Sequence, residues 1–189
     1  MKLPRKPFGW TLRKRRSAFE NPWMDIQLID ALDPNGKPAE YGLVHFKNLA
    51  IGIVPYEAGY IWLVGQSRVG FESYSWEIAA GGGDFSDPPE ATAARELKEE
   101  TGFTAETFTP IVQMETSNSV TDERAIIFLA TGLTAGETEH ESSEDISVMK
   151  ISLDDAIAAV DAGEIRHSIG VAAIYKLALM RAAGELNGL

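Results

Sequence analysis

The sequence predicts an α/β protein, because short apolar runs that read as strands alternate with three segments that carry helix signals. The runs cover residues 49–55, 60–65, 111–114 and 125–130, and the helical segments cover 88–101, 153–162 and 168–183. With 189 residues and 44% hydrophobic content, the chain is long enough to bury one sizeable core. No stretch approaches the roughly 20 continuous apolar residues of a membrane span. The expected organisation is a basic N-terminal tail over 1–16, an antiparallel β-hairpin region over 17–48 and the principal domain over 49–189.

Charge is distributed unevenly. The formal net charge is −11, yet residues 1–16 hold seven of the 17 basic residues and no acid, so the rest carries ten basic residues against 28 acidic ones. Non-specific nucleic-acid binding by the acidic body is disfavoured, since phosphate contacts need Lys and Arg. The basic stretch is either a surface for RNA or another polyanion or a mobile, partner-docked terminus. It lacks the apolar region of an export signal. The absence of cysteine rules out a disulfide framework and thiol chemistry, which suits a cytoplasmic protein. His45, His140 and His167 lack zinc-ligand spacing and are expected to be structural or surface residues.

The elements follow in order. Residues 23–30 alternate apolar and polar side chains, Asp33-Pro34-Asn35-Gly36 signals a turn, and residues 41–46 return as a second strand. Trp23 is read as a core or interface aromatic, or as a surface on which a nucleobase stacks. Residues 49–55 and 60–65, separated by Glu57-Ala58-Gly59, read as a hairpin of buried strands, with Arg68 just past the second. Residues 111–114 and 125–130 flank a polar loop. Residues 136–145 form an acidic loop with Glu137, Glu139, Glu141, Glu144 and Asp145. Two helices, stopped between by Gly163, supply packing at the end of the chain.

The segment over 88–101 is the most informative. Asp87 is expected to N-cap it, Pro88 to take its first position, Glu90 to complete a capping box and Gly102 to stop it. On a helical wheel Ala93, Ala94, Leu97 and Thr101 share one side, which is expected to pack, while Thr92, Glu96, Glu99 and Glu100 share an arc of roughly 100° on the other. As structure that second arc is unfavourable. Like charges at this spacing cost about 0.2–0.5 kcal/mol per pair, and acids in the last turn oppose the helix dipole by about 0.3–1 kcal/mol each. Just before the helix, Gly81, Gly82 and Gly83 form a glycine loop that allows close backbone approach to a ligand. Glycines, clustered carboxylates and an arginine among them suit a hard cation. Mg²⁺ takes oxygen ligands, keeps several waters and is completed by substrate phosphates.

Gly81, five residues, Asp87, seven residues, then Arg95-Glu96-Leu97-Lys98-Glu99-Glu100-Thr101-Gly102-Phe103 closely resembles the Nudix box. One position departs, because Asp87 stands where the box has Glu. Gln66-Ser67-Arg68 ahead of Trp76-Glu77-Ile78-Ala79-Ala80-Gly81-Gly82 resembles the ADP-ribose pyrophosphatase branch of that family, as does Gly163-Glu164-Ile165. Ala79 departs from the proline common there. The resemblance extends over about residues 10–183.

The resemblance implies an α/β/α Nudix sandwich of mixed sheet between helices, with the N-terminal hairpin added as a dimer-forming element. It implies Mg²⁺-dependent hydrolysis, with Mn²⁺ as a substitute, of a small nucleoside diphosphate derivative, first of all ADP-ribose to AMP and ribose 5-phosphate. Hydrolysis of a GDP-mannose-type nucleotide sugar and a non-catalytic nucleotide-sugar sensor are the alternatives. Glu96, Glu100, Glu99 and the carbonyl of Ala80 are implied metal ligands, oriented by Arg95. Arg68 and Glu77 are implied to lie against the diphosphate and neighbouring ribose; the base-stacking reading of Trp23 comes from its residue type and stands beside the core or interface one. The acidic loop is implied to contribute a glutamate to metal binding and proton transfer, with Glu144 the best positional match and Glu141 and Glu139 its rivals.

Overall fold

The computed structural model describes residues 2–138 and 145–189. Its contacts divide the chain into two units: the chain up to Lys47 together with Ser117–Glu123, and Asn48–Thr116 together with Arg124–Leu189.

The first unit is a three-stranded antiparallel sheet in the order β1 (Thr11–Glu20), β2 (Met24–Leu32), β3 (Pro38–Phe46). β2 and β3 are the expected hairpin, in continuous register from Met24↔Phe46 to Leu32↔Pro38. β1 is additional, and it begins inside the basic stretch that the sequence reads as a tail. All ten of its residues are exposed. The polar loop after residue 115 contributes a fourth piece, because Val44 N–H donates to Val120 O at 2.9 Å and Asp122 accepts from Phe46 N–H at 3.0 Å. His45 Nδ1 lies 2.6 Å from the other Asp122 oxygen.

The second unit is built on a seven-stranded mixed sheet. β4 (Asn48–Glu57), β5 (Tyr60–Arg68), β6 (Ser73–Glu77), β7 (Ala79–Asp84), β8 (Thr104–Glu115), β9 (Arg124–Thr134) and β10 (Ser147–Ser152) form it. The main path runs β10-β5-β4-β9-β8, with β6 beside β5 and β7 beside β4. The β4–β9 pairing is parallel and the other pairings are antiparallel. β4 and β5 pair only at Tyr56↔Ile61 and Glu57↔Tyr60. The expected hairpin therefore exists at its base and then splays. β7 takes the place beside β4 that β5 leaves, from Asn48↔Asp84 to Ile53↔Ala79.

Helices α1 (Pro89–Thr101), α2 (Leu153–Asp161) and α3 (Ser168–Ala182) complete the unit. Strand alternation divides the core. Ile127 and Leu129 of β9 join Leu63, Leu153, Ala156, Ile174 and Leu177 in the cluster under α2 and α3. Their neighbours Phe128 and Ala130 join Ile51, Ile53, Val64, Ala93 and Leu97 in the cluster under α1. Among the described residues no helix is long and apolar enough to cross a membrane.

Candidate active site

α1 begins one residue later than the sequence predicts. Pro88 is the N-cap residue and Pro89 the first helical residue, and no side chain caps the start. Asp87 instead belongs to a turn in which its N–H donates to Asp84 O at 3.1 Å. Two successive prolines account for the shift: Pro89 disfavours helical backbone at the residue before it, so Pro88 is left extended. The stop is as expected, with Gly102 at φ 76° and its N–H on Lys98 O.

Most of the carboxylate arc is out of solvent, with Glu99 half-buried. Thr92, Glu96 and Glu100 are buried, with Glu96 at 9% and Glu100 at 4% exposure, while Ala94, read from the wheel as packing, is exposed. The three glycines explain this. They form a strand, not a loop, and Gly81 and Gly83 turn their bare faces to the helix. A Cβ on Gly83 would sit 2.6 Å from Thr92 Oγ1, and one on Gly81 would sit 1.9 Å from Glu96 Oε1. One step further along, the N–H of Ala80 donates to Glu100 Oε2 at 3.0 Å. Residues at i, i+4 and i+8 of α1 thus run along β7, and glycine is required because a methyl group would occupy the carboxylate's place.

Arg95 ties the row together. Its Nη2 donates to Glu96 Oε1 at 2.5 Å and its Nη1 to Glu99 Oε2 at 2.6 Å, with Gly82 O at 3.4 Å from Nη2. Burial alone would lower the Arg95 pKa. The charges of Glu96 and Glu99 and the hydrogen bonds to them outweigh it and hold the pKa above its ordinary value. The guanidinium is a fixed cation between two carboxylates. At the helix end, Lys98 Nζ donates to Glu137 O at 2.5 Å, which pins the start of the acidic segment beside Gly102.

A second cluster forms where β5 and β6 end. Glu77 is 2% exposed. Arg68 holds it with two bonds, Nε to Oε1 at 3.0 Å and Nη2 to Oε2 at 2.6 Å. Burial raises the Glu77 pKa, but the Arg68 hydrogen bond, the neighbouring His167 and the Arg68 charge more than offset this and leave it below the ordinary value. His167 is the residue that sequence reasoning left aside: its Nδ1 stands 3.4 Å from Glu77 Oε2. Ninety positions separate the two residues, so no local spacing could have announced the pair.

Trp23 is 66% exposed, which removes the core reading and leaves a surface role. Asn21 Oδ1 accepts from the N–H groups of Trp23 and Met24 and fixes the bend that presents the ring. Glu139, His140, Glu141 and Glu144 lie outside the described residues. Among the described residues no three His, Cys, Asp or Glu side chains group closely enough to hold a metal by themselves. The donors at β7 and α1 are nonetheless all oxygens. Glu96 and Glu100 are buried and aligned along β7, with Arg95 partly neutralising the row, and this suits a hard ion that needs few protein ligands because it keeps water and takes substrate phosphate.

This glycine strand laid against a row of helical carboxylates is the arrangement of a Nudix hydrolase, and residues 46–169 match the NUDIX domain. The chain is 34% identical over 170 residues to the ADP-ribose pyrophosphatase of Bacillus subtilis (strain 168), which covers 89% of this chain and 92% of that protein. It is 36% identical over 133 residues to the ADP-ribose pyrophosphatase of Mycobacterium tuberculosis (strain ATCC 25618 / H37Rv), covering 69% of this chain and 64% of that protein. A crystal structure of an ADP compounds hydrolase shares the fold, with a TM-score of 0.85 over 97% of this chain and 100% of that chain at 20% identity. The chain therefore belongs to the Nudix family, and to its ADP-ribose pyrophosphatase-like branch.

Proposed function

We propose that the protein is a Mg²⁺-dependent hydrolase that cleaves the diphosphate bond of a nucleoside diphosphate linked to another moiety. ADP-ribose is the first substrate, with water adding across the P–O–P link to give AMP and ribose 5-phosphate. The observation that carries this is the buried row Glu96–Glu100 held against the glycine strand. Nothing in folding stability asks for carboxylates there, and their neighbours are arranged to keep them in place. The named activities of the Bacillus and Mycobacterium relatives favour the substrate.

Glu96, Glu100 and Glu99, with the carbonyl of Ala80, are the residues that would hold Mg²⁺, or Mn²⁺ in its place. When bound there, the ion would screen the diphosphate's charge and lower the pKa of an attacking water. Arg95 orients Glu96 and Glu99 through charge-assisted hydrogen bonds. Arg68, whose side chain is 40% exposed and pairs with Glu77 in the free protein, neutralises a substrate phosphate from the second cluster. Glu144, outside the described residues, is assigned the loop carboxylate role, with Glu141 and Glu139 as rivals. Trp23 offers its exposed ring for nucleobase stacking. The exposed strand β1 and the Trp23 bend support a homodimer in which the N-terminal sheet is the contact. The reading places the enzyme in the cytoplasm, with no membrane or nucleic-acid partner.

The test is a panel of ADP-ribose, GDP-mannose, NADH, diadenosine polyphosphates and 8-oxo-dGTP with Mg²⁺, products resolved by chromatography. AMP and ribose 5-phosphate from ADP-ribose, abolished by a chelator and restored by Mg²⁺, is the expected result. Intact ADP-ribose beside cleaved GDP-mannose would move the protein to the nucleotide-sugar class. Light scattering reads the dimer, and a monomer at micromolar concentration with full activity contradicts it.

A further inference from the structure

Glu77 ends β6 almost completely out of solvent, and a carboxylate that deep needs its charge met. Arg68 and His167 both meet it, from different elements and with different freedom. Arg68 stands at the end of β5 on a long unbranched stem, with its guanidinium partly in solvent and both bonds of its fork spent on Glu77. His167 is the N-cap residue of α3. Its carbonyl accepts from Val171 N–H at 2.9 Å, and the helix start lies in contact with the residue that follows β6: a Cβ on Gly170 would sit 3.6 Å from the backbone nitrogen of Ile78. The backbone that carries the imidazole is therefore fixed, and the ring is on a shorter stem than the guanidinium. Its Nδ1 is 3.4 Å from Glu77 Oε2, an ion-pair distance that needs to close by only about half an ångström to become an N–H···O bond.

The fork that Arg68 spends on Glu77 is the group a diphosphate oxygen would engage. Where a phosphate takes this Nε–Nη2 edge itself, one or both bonds to a carboxylate that water does not reach are given up. Losing a partner costs a buried charge far more than an exposed one. Resting on the reading of Arg68 as a phosphate ligand, we propose that His167 is a positioning residue that takes over the Glu77 carboxylate when Arg68 turns to the substrate's diphosphate. The flexible cation serves the ligand, and the imidazole on its shorter stem keeps the buried charge partnered. His167 thereby lowers the cost of binding without touching the substrate, and its effect falls on KM.

The experiment is steady-state kinetics on ADP-ribose at saturating Mg²⁺ for the wild-type chain, His167→Ala, His167→Asn, Glu77→Gln and the His167→Ala/Glu77→Gln pair, with thermal melts of each. His167→Ala is expected to raise KM by about tenfold while kcat stays within about twofold, since the loss is in binding and not in the chemical step. Asparagine can donate from near the Nδ1 position, so His167→Asn is expected to bring KM back to within about threefold of wild type. With Glu77→Gln there is no charge to hold, and adding His167→Ala should then change KM by less than about twofold. Unchanged KM in His167→Ala, an asparagine variant no better than alanine, or a full effect that persists beside Glu77→Gln overturns the proposal. Arg68→Ala separates the two levels. If it raises KM while the His167 variants are silent, the proposal alone fails. If Arg68→Ala leaves KM at its wild-type value, the phosphate role of Arg68 fails, and the role of His167 goes with it.

Discussion

On one face of the large sheet, α2 and α3 bring Leu153, Ala156, Ile174 and Leu177 against Leu63, Ile127 and Leu129. On the other, α1 brings Ala93 and Leu97, but also Thr92, Glu96 and Glu100, all buried. Both helix layers lie on the same strands, and consecutive residues of β9 face opposite ways. The first layer gains stability from each methylene it buries, about 0.8 kcal/mol per CH₂. The second gives part of its contact surface to carboxylates that burial disfavours, with Arg95 and the Ala80 N–H among the groups that hold them. The α2–α3 face holds the sheet together, and the α1 face uses that stability to present charge.

Leu177 of α3 is completely buried. Leu177→Ala is expected to lose about 2–5 kcal/mol of unfolding free energy in urea titration. Below the transition, kcat should stay near wild type, and a large fall in kcat in the folded variant would show that the two faces are not separate in role. Glu100→Gln is the converse. It keeps shape and removes charge, so kcat should fall by about 10²-fold or more while the melting temperature holds or rises. Near wild-type turnover in the folded variant would remove Glu100 from the site.

A smaller, pH-dependent effect is expected at Glu77. Its pKa in the folded chain lies below the ordinary value, so its contribution to stability is complete above the unfolded-state pKa of about 4.3. That contribution drains away as pH falls through the lower folded-state value. The stability difference between wild type and Glu77→Gln should therefore shrink on acidification from pH 6, and parallel profiles down to pH 3 would contradict the shift. The smallest effects concern helix starts. Ser152 Oγ accepts from Asp155 N–H at 3.0 Å at the start of α2, whereas no side chain caps α1. Ser152→Ala should cost about 1 kcal/mol, and Asp87→Ala should stay within about 0.5 kcal/mol. A loss at Asp87 as large as at Ser152 would restore the cap that the sequence predicts.

Much of the hydrolase unit was legible in sequence because its signals are local. The apolar runs mark β4, β5 and β9, the helical periods mark α2 and α3, and Arg95 to Gly102 marks both the end of α1 and the family. Spacing along one helix is a property of the chain alone, since residues four apart meet whatever surrounds them. What depended on distant partners was not legible. The splay between β4 and β5, and the entry of β7 beside β4, are set by competition among strands for edges. The glycines read as a loop because nothing local says that a helix will lie against them. Ala94 is exposed although its side of the wheel packs, and Glu96 and Glu100 are buried, because burial is decided by what covers a face, and the wheel shows only which residues share one. His167 came to Glu77 for the same reason: the sheet brings the end of β6 to the start of α3, and only folding puts an imidazole within ion-pair reach of that buried carboxylate.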